Sequence, residues 1–348
     1  MDLSALFDRV ASGLFGRDGA NAGDAAEKQL VADMTELVVE TVDPRMRLQA
    51  RYADKLEGCV RKTIAHLRAI GRQPMDPLLL SRAAWNEDPR LNAFFASADD
   101  VPDFLGRSKE LRDHFGVPSH HALGEAYALL AMKKEERTVL GHQQDGDRVL
   151  HDVPQVTVSF SGHRLFAPSA TFEATRLEVG RRIIRRLAQL ALKRIVDLDM
   201  KAAELGERKA WLAARLRLVK LAVDGAAGLL EDTAETRSQI AALERELRET
   251  VHDFIETKAS VATLDSFRKH IEAVFGHPEQ YVSLHQTPMR LSRMGVRVDG
   301  DHPGPVNDFV LSELAIGEGV NAVIAIVRCP LAEMPPEADL LANAERYI

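Results

Sequence analysis

An apolar residue recurs every seven positions from Leu177 through Ile184, Ala191, Leu198, Leu205 and Leu212 to Val219, and no proline interrupts the run. A seven-residue apolar repeat lines one seam of a long helix, and such a seam requires something packed along it. At 1.5 Å per residue, the roughly 50 residues from Thr171 to Leu221 predict a helix of about 75 Å. The columns beside the repeat are uneven. Arg194, Lys201, Arg208 and Arg215 stand at one offset, and Ala188, Ile195, Ala202, Lys209 and Leu216 at the other. A parallel two-stranded zipper wants two apolar columns, so the stripe suits a helix packed partly on a partner helix and partly on a body or second subunit.

A break follows at Asp224-Gly225 and Gly228. A second helical pattern then carries Ile240, Leu243, Leu247, Val251 and Phe254 and continues through Ile271 and Phe275. Two long helices joined by a short glycine-containing loop predict an antiparallel hairpin turning near Ala226. Charge favours the pairing. Thirteen basic residues face five acids between Arg176 and Lys220, a net of +8, while Asp224 to Glu256 holds nine acids against three arginines, a net of −6. Opposite charges flanking a seam select one orientation more than they stabilise it, because an exposed ion pair contributes only about 0–1 kcal/mol.

The cluster Arg181, Arg182, Arg185 and Arg186 taken alone is a nucleic-acid or phosphate footprint. The antiparallel register sets it opposite Ser266–Ile271, where Asp265 and Glu272 are offset by Arg268 and Lys269. A solvated or intramolecularly paired face is the plainer expectation, with nucleic-acid binding as the alternative.

Composition limits the remaining choices. The 348 residues carry a formal charge of −7, which gives no global reason to expect DNA or an anionic membrane as partner. Aromatic residues make up 5%, and with abundant Leu, Ala, Arg and Glu this favours helix over sheet. Cys59 and Cys329 form no ligand or disulfide pattern, which suits a reducing cytoplasm. Asp2 stands where a signal peptide would carry base, and no apolar run approaches the roughly 18 residues of a membrane span. A cytoplasmic chain without cofactor or metal is the expectation.

Leu3, Leu6, Phe7, Val10, Leu14 and Phe15 share one helical face, and Gly16–Ala26 reads as a flexible tether. Such a helix docks on a protein partner or folds back on its own core; it lacks the basic face of an interfacial membrane helix. A helical region then runs from Glu27. One of its helices opens at Asp43-Pro44 and ends near Gly71, and others are expected at 76–85, 101–114 and 119–135. From about 136 the period changes to two. Asp145-Gly146 supplies a hairpin turn and Ser161-Gly162 a further one, giving three or four short strands before Thr171 caps the long helix. Strand signals return at Leu291–Val298, Phe309–Ile316 and Val320–Val327, the last apolar on both faces and therefore central. A short helix is expected in the tail, 335–348.

The two strand groups flank the helical hairpin in sequence and can join one sheet. The expected fold class is α+β, predominantly α: an N-terminal helical layer and an antiparallel or mixed sheet split by a long antiparallel helical hairpin.

No phosphate-loop, dinucleotide or H-E-x-x-H motif occurs. His120, His121 and Glu125 place two ligand types one turn apart, but adjacent histidines at a helix start are ordinarily solvated. His142, His151 and His163 sit in the strand region, and Cys329-Pro330 ends a buried strand, where a cysteine is usually core. The expected function is therefore a non-enzymatic interaction or scaffold protein. Its contact surfaces would be the arm, with seam residues Leu177, Ile184, Leu198, Leu205, Leu212, Val219, Ile240 and Leu247, and the tethered helix; partners would be another protein or a second copy. An enzyme with a pocket between sheet and N-terminal helices is the remaining alternative.

Overall fold

The computed structural model describes residues 20–145, 148–225, 234–298 and 304–336. With 58% helix and 25% strand it is mixed α+β and mainly helical. Helices α1 (Ala20–Val42) and α2 (Tyr52–Gly71) precede strand β1 (Leu78–Leu79) and the short helices α3 (Pro89–Phe94), α4 (Asp100–Arg107), α5 (Lys109–Phe115) and α6 (Pro118–His121). Strands β2 (Glu125–Asp145) and β3 (Arg148–Ser169) follow. Then come helices α7 (Phe172–Gly225), α8 (Ala234–Ala259) and α9 (Leu264–Phe275), and strands β4 (Val282–Ser292), β5 (Val306–Ile316) and β6 (Val320–Pro330). The chain forms two compact units, one of residues up to Met34, Arg61–Ile184 and Pro278 onward, the other of Thr35–Val60 and Arg185–His277.

The first unit holds the whole sheet, in the order β3-β2-β6-β5-β4. Strands from before and after the helical hairpin therefore meet in one sheet, as their sequence pattern implies. β6 is central: β2 pairs along it from Glu125↔Pro330 to Met132↔Val323, and β5 pairs from Ser312↔Ile324 to Ile316↔Val320. All of these pairings are antiparallel, and the short β1 adds a parallel one at Leu78↔Val327 and Leu79↔Arg328. The edges of the sheet also meet. The Val158 N–H donates to the Gly295 carbonyl at 2.7 Å, and the Arg297 N–H donates to the Val156 carbonyl at 2.8 Å, so the turn after β4 is laced to β3. Gly295 has φ 75, and a Cβ there would meet the Val158 carbonyl oxygen at 2.7 Å, so only glycine fits this approach.

Three expectations fail in this unit. Residues 125–135, rich in the helix formers Ala, Leu, Met, Glu and Lys, are strand β2 and not the second half of a helix at 119–135; helix ends at His121. Pairing on both sides, to β3 and β6, overrides local propensity. Ser161-Gly162 does not turn the chain. β3 runs through it, and the β2–β3 register shifts between Ala131/Arg164 and Lys133/Ser161, with Gly162 at φ 64. The positive φ is used for a β-bulge, so two long strands replace three or four short ones. The expected helix at 76–85 is also absent, and β1 and a 3-10 turn at Ala84–Asn86 occupy that stretch. The core gathers Leu80, Leu91, Phe94 and Phe95 under the sheet residues Ala126, Ala128, Leu130 and Val327.

The second unit is helical. Asp43 caps a 3-10 turn at Pro44–Leu48, accepting from the Arg45 N–H at 2.9 Å, and the helix expected from Pro44 begins only at Tyr52. α9 opens with a capping box between Thr263 and Ser266. The stretch expected as a tether to Ala26 is already helical from Ala20. Leu3, Leu6, Phe7, Val10, Leu14 and Phe15 lie outside the described residues, as does the tail beyond 336.

Candidate interaction surface on the helical arm

Within the second unit, α7 and α8 run antiparallel. Lys258 Nζ reaches Asp199 at 2.9 Å, Arg208 reaches Glu246 at 2.7 Å and Lys220 reaches Glu244 at 2.7 Å. As the α7 number rises the α8 number falls, which fixes the sense. The basic arm meets the acidic arm through these pairs. All are exposed, so they align the helices more than they hold them together.

The seam itself is apolar and narrow. On α7 the repeat is buried at Leu177 and Ile184 in the first unit and at Ala191 and Leu212 in the second, and half-buried at Leu198, Leu205 and Val219. The Lys258–Asp199 pair lies at the end of α8, so Leu198 to Val219 is the part that runs beside that helix. The companion column of the repeat is Ala188, Ile195 and Ala202, all buried, while Arg194, Lys201, Arg208 and Arg215 are exposed. The two offsets weighed in the sequence are thus assigned. Leu243 and Thr250 are buried on α8, and Ile240, Leu247 and Phe254 half-buried, continuing the alternation of three and four. Where the companion column turns polar at Lys209, its ammonium sits 4.3 Å from the centre of the Phe254 ring, a cation–π contact that lets a lysine occupy a seam position. Gly206 lies opposite the same ring, where a Cβ would come within 3.4 Å of it.

The arginine cluster is divided. Arg182, in the first unit, makes two hydrogen bonds to the Glu110 carboxylate, at 3.1 and 2.9 Å, and one to Glu178 at 3.3 Å. Those bonds, chiefly the one to Glu110, raise the guanidinium above its ordinary value. Glu110 also accepts the Ala167 N–H at 3.1 Å, where the backbone has φ 55. Arg181 lines a small apolar cavity of about 20 Å³ with Leu30, Leu67 and Ile184. In the second unit Arg186 donates to Gln189 at 3.5 Å, and Arg185 is exposed. Within α9, Arg268 pairs with both Asp265 and Glu272, so those acids are already engaged.

The first unit has a groove of about 1070 Å³ between β3 and the α4–α5 helices, and a second of about 980 Å³ beside α5 and α6. Phe95, Phe104, Phe160 and Phe166 form the apolar wall of the first and Asp100, Asp103, Arg107 and Lys109 its mixed rim. His163, beside the Gly162 bulge, stacks on Phe95 at 4.8 Å and donates from Nε2 to the Phe94 carbonyl at 2.8 Å; burial lowers its pKa. In the sequence this histidine reads only as a strand residue, and the bulge beside it leaves no periodic trace. His151 is exposed, and the His142 side chain lies outside those described. His120 stacks on His114 at 4.2 Å, and Glu125 pairs with Arg328 at 2.8 Å, so the ligand types noted at 120–125 are directed elsewhere. Cys329 is buried and burial pushes its thiol up, while burial and Glu272 push Cys59 up to about 11.

His114 has a measurable consequence. Burial, and then the neighbouring His120, lower its pKa from 6.5 to about 4. The unfolded imidazole takes up a proton that the folded one refuses. The stability conferred by the neutral ring is therefore complete above pH 6.5 and declines as the pH falls toward 4. His114→Phe keeps a ring against His120 and removes the titration. Urea unfolding at pH 7 and pH 5 should show a smaller loss for the variant than for the parent, and equal losses would refute this account.

No known family model matches the chain, and neither a curated protein nor a solved structure does so. The class is defined by architecture alone: an α+β protein, mainly helical, whose mixed sheet is interrupted in sequence by a helical hairpin.

Proposed function

We propose that this chain is a non-enzymatic interaction or scaffold protein that contacts its partner through the α7–α8 arm. One observation carries the reading. α7 is apolar on two opposite faces, and only one of them is the seam. Val196, Met200, Trp211, Leu218 and Leu221 are all exposed on the other face. Large apolar side chains concentrated on one exposed face mark a contact surface more often than a solvated one. Trp211 is the natural anchor, since tryptophan dominates the energetics of protein contacts. The N-terminal helix, Leu3 to Phe15, belongs to the proposal on its sequence pattern alone.

Capture with the full chain as bait, read by quantitative mass spectrometry, tests the reading against Trp211→Glu. At least one captured protein, the chain itself included, should fall about tenfold or more with the variant. An unchanged set would sink it. The nucleic-acid alternative predicts retardation of DNA or RNA at low salt that weakens in Arg185→Glu. The engagement of Arg182 with Glu110 speaks against it, because one of the four guanidinium groups is already held. The enzyme alternative rests on the aromatic groove around His163, for which the chain offers no second acid–base group in hydrogen-bond contact with the imidazole among the described residues.

A further inference from the structure

The outer face of α7 says what covers it. Val196, Met200, Trp211, Leu218 and Leu221 are 46, 60, 57, 68 and 55% exposed, with the exposed Ala203 and Ala214 between them. At about 100° per residue they fall within a stripe roughly opposite the seam. The stripe spans about 38 Å of helix at 1.5 Å per residue. Its charges are unequally distributed. Arg208, Lys220 and Asp199 are engaged with α8, Lys209 lies over Phe254 and Asp197 pairs with Lys193, which leaves Glu204 and Glu207 as the acids beside the first half of the stripe and Arg215 and Arg217 as the bases beside the second. Opposite charges on the two halves of one stripe repel a parallel copy and attract an antiparallel one.

We infer that a second copy of this chain covers the stripe, α7 lying antiparallel against α7 of the other copy; this rests on the arm reading above and names its partner. One register satisfies both the apolar and the charged positions. It sets Val196 opposite Leu221, Met200 opposite Leu218 and Ala203 opposite Ala214, each pair occurring twice by two-fold symmetry. In an antiparallel pair, residues on the same flank of the two helices face each other. Glu204 and Arg215 share one flank, and Asp199 and Arg217 share the other. In this register Glu204 meets Arg215 and Asp199 meets Arg217, within a residue of the apolar pairing. Glu204 and Arg217 form no ion pair with other described residues, whereas Asp199 already holds Lys258 at 2.9 Å, so the Glu204–Arg215 pair carries the charge match. Glu207, the one charge in the middle of the stripe, comes opposite Trp211. The guanidinium of Arg215 lies 5.2 Å from the Trp211 ring and supplies the counter-charge there. A single helix pair is at the small end of specific interfaces, so the dissociation constant should fall in the micromolar range.

Sedimentation equilibrium of the full chain tests the inference directly. The parent should be a reversible dimer, and Leu218→Glu, at an exposed position that leaves the helical circular dichroism unchanged, should weaken it about thirtyfold or more by placing a carboxylate against Met200 twice. Glu204→Arg and Arg215→Glu should each weaken it several-fold, and the double exchange should restore most of the loss. Orientation is read from cysteine cross-linking. The pair Ala203→Cys with Ala214→Cys should oxidise to a covalent dimer, whereas Ala203→Cys alone should not, its two copies being offset by about 16 Å along the helix. Cross-linking through the single variant, or failure of the charge exchange to rescue, overturns the antiparallel register. A chain that stays monomeric into the hundreds of micromolar overturns self-pairing altogether. If that monomer still captures a protein in a manner lost on Leu218→Glu, the arm reading stands without the self-pairing; if it captures nothing, both fall.

Discussion

Leu130→Ala should destabilise the first unit by about 3 kcal/mol, the usual cost of emptying a leucine site that cannot collapse. Leu130 is 0% exposed and lies between two strands, opposite Leu165 on β3 and Ala325 on β6. Paired backbone on both sides prevents the walls from closing on the cavity. For a unit of this size the loss corresponds to about 6–12 °C in melting temperature. Lys133→Ala, three residues on along the same strand and exposed, serves as the control and should fall within about 0.5 kcal/mol of the parent. Urea unfolding of both variants decides the matter. A cost below about 1 kcal/mol at Leu130 would mean that 125–135 is not packed as a two-sided strand.

Glu110→Ala should cost about 2–3 kcal/mol, because one carboxylate satisfies two elements at once. It accepts two bonds from Arg182 on α7 and the Ala167 N–H at the end of β3. The two side chains of the ion pair are 38 and 39% exposed, so solvent screens the charge itself and the hydrogen bonds carry most of the effect. A double-mutant cycle with Arg182→Ala should therefore give a coupling of about 1 kcal/mol, with the remainder of the Glu110 loss persisting in the Arg182→Ala background through Ala167. Near-zero coupling, or a Glu110→Ala cost that vanishes without Arg182, would contradict this division of roles. While Glu110 holds Arg182, that guanidinium is unavailable to a phosphate.

Much of this architecture was legible because long-range pattern survives in a single sequence. The seven-residue repeat, the opposite net charges of the two helices and the apolar run Val320–Val327 each report an environment that spans many residues. They anticipated the antiparallel hairpin, its ion pairs and the central place of β6. What was misread was local. Ala126 to Met132 is composed of helix formers, and only the strands on either side, one of them some 200 positions away, dictate its conformation. Ser161-Gly162 has the chemistry of a turn and also of a bulge, and the choice is made by the length of β2 alongside it. The outer stripe of α7 was present in the sequence too. Two apolar faces on one helix blur into a weakly periodic pattern, and only once the seam is located does the second face stand apart.

The lacing of Val156 and Val158 to the turn after β4 has a consequence for the exposed edge of the sheet. An unpaired strand edge is a standing template for another chain, and the usual outcome is uncontrolled β-aggregation. Here the backbone groups of β3 at that point are occupied from within, by a turn that depends on glycine at 295 for its closeness. Growth by strand addition is blocked there. At that stretch of β3 only side chains, and not backbone groups, are left to meet another chain.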